Sequence, residues 1–351
     1  MDFSLTDTQQ EIARLAGQLL DEGKTDPWQE LAKSGLLALA VPAELGGDGL
    51  GVMEAAVLLT EIGRRAAPVP ALATLMTGVL PITRWGEAEL RRALLPAAAA
   101  GELILTAGLR EPSDPLPRVP GVTVTDGTVT GTKVGVPYCA EAGHVLLTVS
   151  FAAADAAESR EGTGVVIVDP AAAGACVTRT PSAAGSPEYT LRLDRVPVEH
   201  VLGPAGCLED LYQLAVAGAC CLADGALSGA LALTRNHVES RRQFGRPLAT
   251  FQAVAQQVAD VYIASRTLGV VTRSACWLLD TGRDASGDLA VAGYWCARQS
   301  PASVRTCHHL HGGTGMDTTY PLHHFSALIS DLVRFLGGAE YELERQACLS
   351  T

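Results

Sequence analysis

Aromatic residues make up only 5% of this 351-residue chain, and charged residues only 18%. With so few rings, Ala, Leu and Val must build the interior, and small side chains let helices approach closely. Low charge with 48% hydrophobic residues excludes a disordered chain, which needs the reverse balance. Basic residues are in deficit, 26 Lys and Arg against 38 Asp and Glu, for a net charge of −12. Such a chain lacks the electrostatic footprint of a nucleic-acid binder. No Lys/Arg run marks an anionic membrane surface, and no uninterrupted apolar run reaches bilayer length. The start, Met1 to Asp7, has neither a basic nor an apolar region, so no secretory signal is expected there. The nine cysteines are odd in number and include no CxxC pair, which points to reduced thiols in a cytoplasmic protein. Internal repeats and low-complexity linkers are absent as well.

What is present falls into three parts: 1–102, 103–203 and 204–351. The first is helical. Thr6 and Gln9 have capping-box spacing, and Ile12, Leu15, Ala16 and Leu19 follow at helical period. Pro42 and the Gly46-Gly47-Asp48-Gly49 cluster predict a tight loop, read as a sharp turn rather than a binding site. Helical patterns resume at about 52–66, 70–80 and 86–98. The second part is rich in β runs. Val122 to Thr130 reads as strand, Asp126-Gly127 turn and strand, a strong hairpin signal. Further strands are predicted at Val145–Val149, Val165–Val168 and Tyr189–Leu193, with an exposed loop around Asp155, Glu158, Arg160, Glu161 and Gly162. The sum is a small, mostly antiparallel β domain.

The third part is helical again. Residues 205–237 are apolar on every face, which predicts burial, and a partner subunit is the expected cover. Phe251, Val254, Val258, Val261, Ser265 and Leu268 continue with a period near 3.6, a third helix is predicted at about 285–308, and a fourth after Pro321. Two segments here carry chemistry. Arg241-Arg242-Gln243-Phe244-Gly245-Arg246-Pro247-Leu248 through Phe251-Gln252 places cations at a helix end and a turn. His309-Leu310-His311-Gly312-Gly313-Thr314-Gly315 offers a glycine loop where main chain can approach a ligand. Arg pairs bidentately with phosphate oxygens, so together they suit a diphosphate. A surface carboxylate would also satisfy Arg241 alone, but with Gln243-Phe244-Gly245 in place the diphosphate is preferred. Five of the eight histidines crowd into 308–324, but adjacent His308 and His309 diverge, so phosphate contact or plain surface positions are preferred over metal. Cys220 and Cys221 read as core. Ser113, Asp114 and a distant His lack the elbow of a hydrolase triad.

These two segments resemble the R-x-Q-F-G-x-P-L-x-x-F-Q and Q-x-x-G-G-x-G patterns of the acyl-CoA dehydrogenase family. The Gly35-Leu36-Leu37-Ala38-Leu39-Ala40-Val41-Pro42 segment and the Leu193-Asp194-Arg195-Val196-Pro197 exit from the β domain are similar to that family too. The resemblance implies a mostly α fold with an N-terminal helical domain, a middle β-barrel domain and a C-terminal four-helix bundle. It also implies FAD at a subunit interface, one subunit holding the flavin ring and its neighbour the diphosphate and adenosine. Arg241, Gln243, Phe244, Phe251, Gln252, His309, Gly312 and Gly313 are the positions that would give the neighbour's share. His309 stands where the family usually has Gln.

The departures are informative. The family's T-E-P-x-x-G-S-D segment corresponds to Leu109-Arg110-Glu111-Pro112-Ser113-Asp114-Pro115, shorter and with Arg110 for Thr. The family's W-I-T-N segment corresponds to Lys133-Val134-Gly135-Val136-Pro137-Tyr138, where Pro137 has neither hydroxyl nor N–H. The flavin-ring half of the site therefore reads as dismantled. The catalytic Glu is also missing: one family position falls on Leu336/Gly337, the other on Ala215. The nearest acids are Glu209, Asp210 and Glu340, with Asp224 farther off. With these losses, the His309-Leu310-His311-Gly312-Gly313 and Tyr320-Pro321-Leu322-His323 segments resemble the base-lacking subunit of α2β2 acyl-CoA dehydrogenases, a kind that acts on steroid side-chain CoA thioesters, and the resemblance implies that role here. Its partners would be a related subunit carrying the Glu, the acyl-CoA at that subunit's site, and electron-transfer flavoprotein or a similar acceptor. A homo-oligomeric flavoenzyme with a displaced base and a flavin-free scaffold are the competing readings.

Overall fold

The computed structural model describes residues 4–23, 25–151, 162–203 and 206–349, with side chains to residue 345. The exposed loop expected from Asp155 lies outside the described residues, apart from Gly162. The chain opens with α1 (Asp7–Asp21), α2 (Pro27–Lys33), α3 (Val52–Arg64), a π-helical run (Leu72–Val79), α4 (Leu80–Trp85) and α5 (Ala88–Ala99). Eight strands follow: β1 (Leu105–Gly108), β2 (Thr123–Thr125), β3 (Thr128–Pro137), β4 (His144–Phe151), β5 (Thr163–Val168), β6 (Ala175–Arg179), β7 (Glu188–Pro197) and β8 (His200–Leu202). Helices then return as α6 (Cys207–Ser240), α7 (Gln252–Asp280), α8 (Ser286–His311), α9 (Leu322–Leu336) and α10 (Ala339–Leu349). Between α6 and α7 lie two short strands, β9 (Arg242–Gln243) and β10 (Arg246–Pro247). Helical, sheet and helical domains thus succeed one another along the chain.

The chain divides into two compact units, one of residues 1–22, 56–67 and 217–351, the other of 23–55 and 68–216. In the second, the sheet has the order β6-β7-β3-β2-β4-β5-β8, with β1 beside β4. Only β1 and β2 run parallel to β4, and the remaining pairs are antiparallel. The β2–β3 hairpin turns on Asp126 and Gly127, both at positive φ, the backbone its Asp-Gly sequence favours. Alternate residues Val129, Val145, Leu147, Val166 and Leu191 meet in one apolar core. Gly47 turns where a Cβ would lie 2.1 Å from the Val41 carbonyl oxygen, so that glycine cluster is a tight turn. The predicted helix at 70–80 forms with wider turns. Pro81 has no N–H to continue an ordinary ladder, and upstream the N–H of Leu80 bonds five residues back to Leu75.

In the first unit the Thr6–Gln9 capping box closes α1 reciprocally, with bonds of 3.1 and 3.2 Å. α6, α7, α8 and α9 share a core of Leu227, Ala230, Val261, Val304, Phe325 and Ile329. Glycine lets α3 and α6 touch backbone to backbone. A Cβ on Gly63 would sit 2.1 Å from the Leu222 carbonyl oxygen, on Gly225 2.0 Å from that of Thr60, and on Gly229 2.3 Å from that of Arg64. This close approach is what the small-residue composition predicts. Two expectations are corrected. α6 is long and apolar enough by composition to cross a bilayer, but its most apolar stretch is 83% buried by this chain itself, so no partner is needed to cover it. And a fifth helix, α10, follows the Gly337-Gly338 break, beyond the four-helix bundle.

Candidate nucleotide-binding site

α6 delivers its last turn directly into a two-residue hairpin. Phe244 and Gly245 both have positive φ, 52° and 81°, which closes β9 on β10 tightly. The N–H of Leu248 bonds to the Arg241 carbonyl at 2.9 Å and fastens the base of the turn. Arg242 donates across it to the Gly245 carbonyl at 3.3 Å. The Arg246 guanidinium lies 4.1 Å from the Phe251 ring centre, and Phe244 meets that ring edge-on at 6.1 Å. Phe244 itself is 90% exposed. Arg241, Gln243 and Gln252 are exposed, and among the described residues no carboxylate pairs with the Arg241 guanidinium. The alternative that Arg241 merely serves a surface acid of this chain is not what the structure contains.

α8 ends at the glycine loop. Gly312 adopts φ 57°, ψ −134°, a conformation that side-chain-bearing residues avoid, and nothing lies within 4 Å of a Cβ placed on Gly312 or Gly313. Their main chain is therefore open. His309 projects into solvent beside them. The two segments are joined by histidines. His237, one turn before Arg241 on α6, stacks on His311, whose ring centre is 4.4 Å away. His311 is buried; its Nδ1 lies 2.8 Å from the Cys307 carbonyl and so carries the proton, leaving Nε2 to accept from the Tyr320 hydroxyl at 3.1 Å. His308 holds the loop from behind, donating from Nδ1 to the Gly315 carbonyl at 3.0 Å, with Nε2 3.1 Å from the Ser326 hydroxyl. His237 was not singled out from the sequence; its i, i+4 spacing from Arg241 was the available signal.

The donor set, a guanidinium with no carboxylate partner among the described residues and an open glycine main chain, on two segments joined through the stacked histidines, fits an anionic diphosphate such as that of FAD. The β domain is different. The Arg110 guanidinium sits 2.9 Å, and a Glu188 carboxylate oxygen 3.3 Å, from where a Cβ on Gly135 would lie. Gly135 has φ +63°, and the Val134 N–H bonds to the Arg110 carbonyl at 2.9 Å. The Pro137 carbonyl is taken by the Thr106 hydroxyl at 2.6 Å. Beneath, Lys133 is fully buried; its ammonium donates to Glu111 at 2.7 Å and to Thr148 at 2.8 Å. Burial outweighs the Glu111 partner and lowers the Lys133 proton affinity to a pKa of about 8.

The acids nearest the two base positions are placed as follows. Asp210 is bound by the Arg84 guanidinium and accepts the Trp85 indole N–H at 2.6 Å, so its oxygens are committed to structure. Glu209 accepts from Gln213 at 3.3 Å, and Glu340 is exposed. Ala215 and Leu336 are wholly buried apolar side chains. Asp224 faces the α-carbon of Gly269, and burial raises its pKa to about 6 against the pull of Arg273, Arg64 and Arg266.

Comparison with known proteins gives the family. The N-terminal domain of acyl-CoA dehydrogenases matches residues 7–102 and the C-terminal domain residues 213–341. The chain is 44% identical to acyl-CoA dehydrogenase FadE28 of Mycobacterium tuberculosis, covering 98% of this chain and 97% of that one. Among solved structures, the Tcur3481–Tcur3483 steroid ACAD G363A variant superposes with a TM-score of 0.90 at 35% identity, covering 98% of this chain and 97% of its own. The ChsE4–ChsE5 complex from Mycobacterium tuberculosis also gives 0.90, at 28% identity over 99% and 98%. With both end domains, the full-length identity and the fold in agreement, this chain belongs to the acyl-CoA dehydrogenase family.

Proposed function

We propose that this chain is the base-lacking subunit of a heteromeric, flavin-dependent acyl-CoA dehydrogenase that desaturates a CoA thioester of a steroid side chain. It completes the FAD site of a related subunit that carries the Glu. Arg241 and the Gly312–Gly313 main chain would hold the diphosphate, with Gln243, Phe244, Phe251, Gln252 and His309 around it. FAD, when bound, accepts the hydride of the family's reaction. The steroid assignment rests on the likeness to the steroid ACAD structure.

The observation that carries the reading is the pair of apolar side chains, Ala215 and Leu336, at the two places where the family resemblance sets a base. A general base has to reach the α-proton, and neither side chain can accept it. The Arg110 guanidinium packed over Gly135 supports the same reading, because it fills the segment that corresponds to the flavin-ring contacts.

The test is co-expression with a related acyl-CoA dehydrogenase subunit that carries the Glu, followed by light scattering and flavin absorbance. An α2β2 assembly with two FAD is expected, with turnover in the complex and none in the isolated chain given an acyl-CoA and an electron acceptor. A homotetramer with four FAD and its own turnover would overturn the proposal in favour of a self-sufficient enzyme. A complex without flavin would make the chain a scaffold.

A further inference from the structure

The cluster where α6 and α8 end contains one group with no task in the platform described above. His311 has both ring nitrogens committed, to Cys307 and Tyr320. The His237 ring, stacked on it at an interplanar angle of 27°, makes no hydrogen bond among the described residues, although the His237 carbonyl accepts the Arg241 N–H at 2.8 Å. It is half-buried, and Arg241 lies four residues on, on the same helical face. The groups that face the stacked pair are Arg241 just past the end of α6, His308 from α8 and the Tyr320 hydroxyl from the segment before α9. Among the described residues no carboxylate acts on either ring. Burial first, then His311, then Arg241 hold His237 below the ordinary histidine range, and burial does the same to His311. Without an anion, both rings are held toward the neutral form.

We propose that His237 is a further binding residue of the diphosphate platform: when a diphosphate is seated on Arg241 and Gly312–Gly313, His237 takes up a proton and pairs with it, so that nucleotide binding consumes a proton. This rests on the reading of Arg241 as a diphosphate ligand. The physical cause is a change of sign in the local field. The free site has only cations and burial acting on the imidazole, both of which oppose protonation. A diphosphate adds the negative charge that the site lacks, and the charged form becomes the favoured one. His311 keeps its two bonds and serves as the flat support on which the imidazolium rests. Because the uptake is linked to binding, affinity rises as pH falls, by at most tenfold per pH unit for one proton.

The experiment is calorimetric titration of the full-length chain with ADP, which carries the adenosine and diphosphate of FAD. Two buffers of different ionisation enthalpy report the protons exchanged. The expected result at pH 7 is a proton uptake larger in the wild type than in either His237 variant, ADP's own terminal phosphate titrating alike in all three, and a gain in affinity from pH 8 to pH 6.5 that is several-fold larger in the wild type. His237→Phe, which preserves the stack, and His237→Gln, which preserves a donor, should both bind ADP without that additional uptake and with a correspondingly shallower pH profile. Their thermal transitions check that both fold. ADP binding that depends on Arg241 but shows the same proton count in the wild type and both variants would overturn this inference and leave the platform standing. Absence of any binding that Arg241→Ala abolishes would overturn both.

Discussion

Glu111→Gln tests how the β domain keeps a charge inside. Lys133 has no solvent exposure, and its ammonium is held by Glu111 at 2.7 Å. The same carboxylate oxygen accepts the Val122 N–H at 3.2 Å, and the other accepts the Gly121 N–H at 2.7 Å. Three donors converge on one carboxylate, so a glutamine must point its NH2 at a donor whichever way it turns. Even with its partner, Lys133 falls from 10.5 to about 8. At about 1.36 kcal/mol per pH unit, keeping it charged at pH 7 already costs on the order of 3 kcal/mol. Removing the partner of a buried charge can cost ~3–5 kcal/mol, but an ammonium that loses Glu111 sheds its proton instead, which caps the charge-dependent part of the loss at pH 7, one unit below about 8, at about 1.4 kcal/mol on top of the hydrogen bonds lost. The sign of the pH dependence follows from the depressed affinity: the Lys133 contribution is complete above about 10.5 and is lost as pH falls through about 8. The variant should therefore be destabilised most at pH 7. At pH 9.5, where Lys133 is neutral in both proteins, the difference should shrink to roughly 1 kcal/mol for each hydrogen bond lost. Urea-dependent hydrogen exchange on peptides covering β3 and β7 reads this locally. A loss below about 1 kcal/mol at pH 7, or one that does not change between the two pH values, would refute the account.

Arg241→Ala should lower FAD retention by the assembled complex roughly ten- to a hundredfold, the value of a charge-assisted bond of about 1.5–3 kcal/mol, measured as flavin absorbance remaining after dialysis. Asp224→Asn should stabilise the fold at pH 7 by about 1–3 kcal/mol and change little at pH 4, because the penalty of the raised carboxyl develops as pH climbs from 3.8 through about 6; urea titrations at the two pH values check both halves. Gly225→Val should cost more than about 3 kcal/mol or prevent folding, since its Cβ would fall 2.0 Å from the Thr60 carbonyl oxygen, and soluble yield with thermal melting reads it directly.

Local chemistry was legible in the sequence and long-range pairing was not. The Asp126-Gly127 hairpin and the Thr6–Gln9 cap involve residues a few positions apart, whose backbone preferences need no tertiary context. The Arg241–Gly245 turn was legible for the same reason, because the helix end and the turn lie in one short segment. Periodicity marked α6 as buried but could not say by what; glycine contacts with α3 and packing against α7, α8 and α9 supplied the cover. Asp210 stood as a free candidate base until Arg84 and Trp85, far upstream, proved to hold it. His237 and His311 are separated by most of two helices, so their stacking could not be read from spacing. The π-helical run at Leu72–Val79 depends on a proline beyond its end, a signal easily taken for an ordinary helix start.

The glycine crossing of α3 and α6 has a mechanical consequence. Gly63, Gly225 and Gly229 seat against carbonyl oxygens with no clearance, so α6 cannot slide along its axis even by the ~1.5 Å of one residue without driving a backbone atom into another. The helix runs without a break from Gly229 to Ser240, and Arg241 is its next residue. At that rise the guanidinium stands ~18 Å beyond the clamp, at the tip of a rod whose far end is fixed. The position of the tip is then set by the seating of three hydrogen atoms. A methyl group added at the crossing would be felt as a misplaced cation at the hairpin, although nothing near the hairpin had changed.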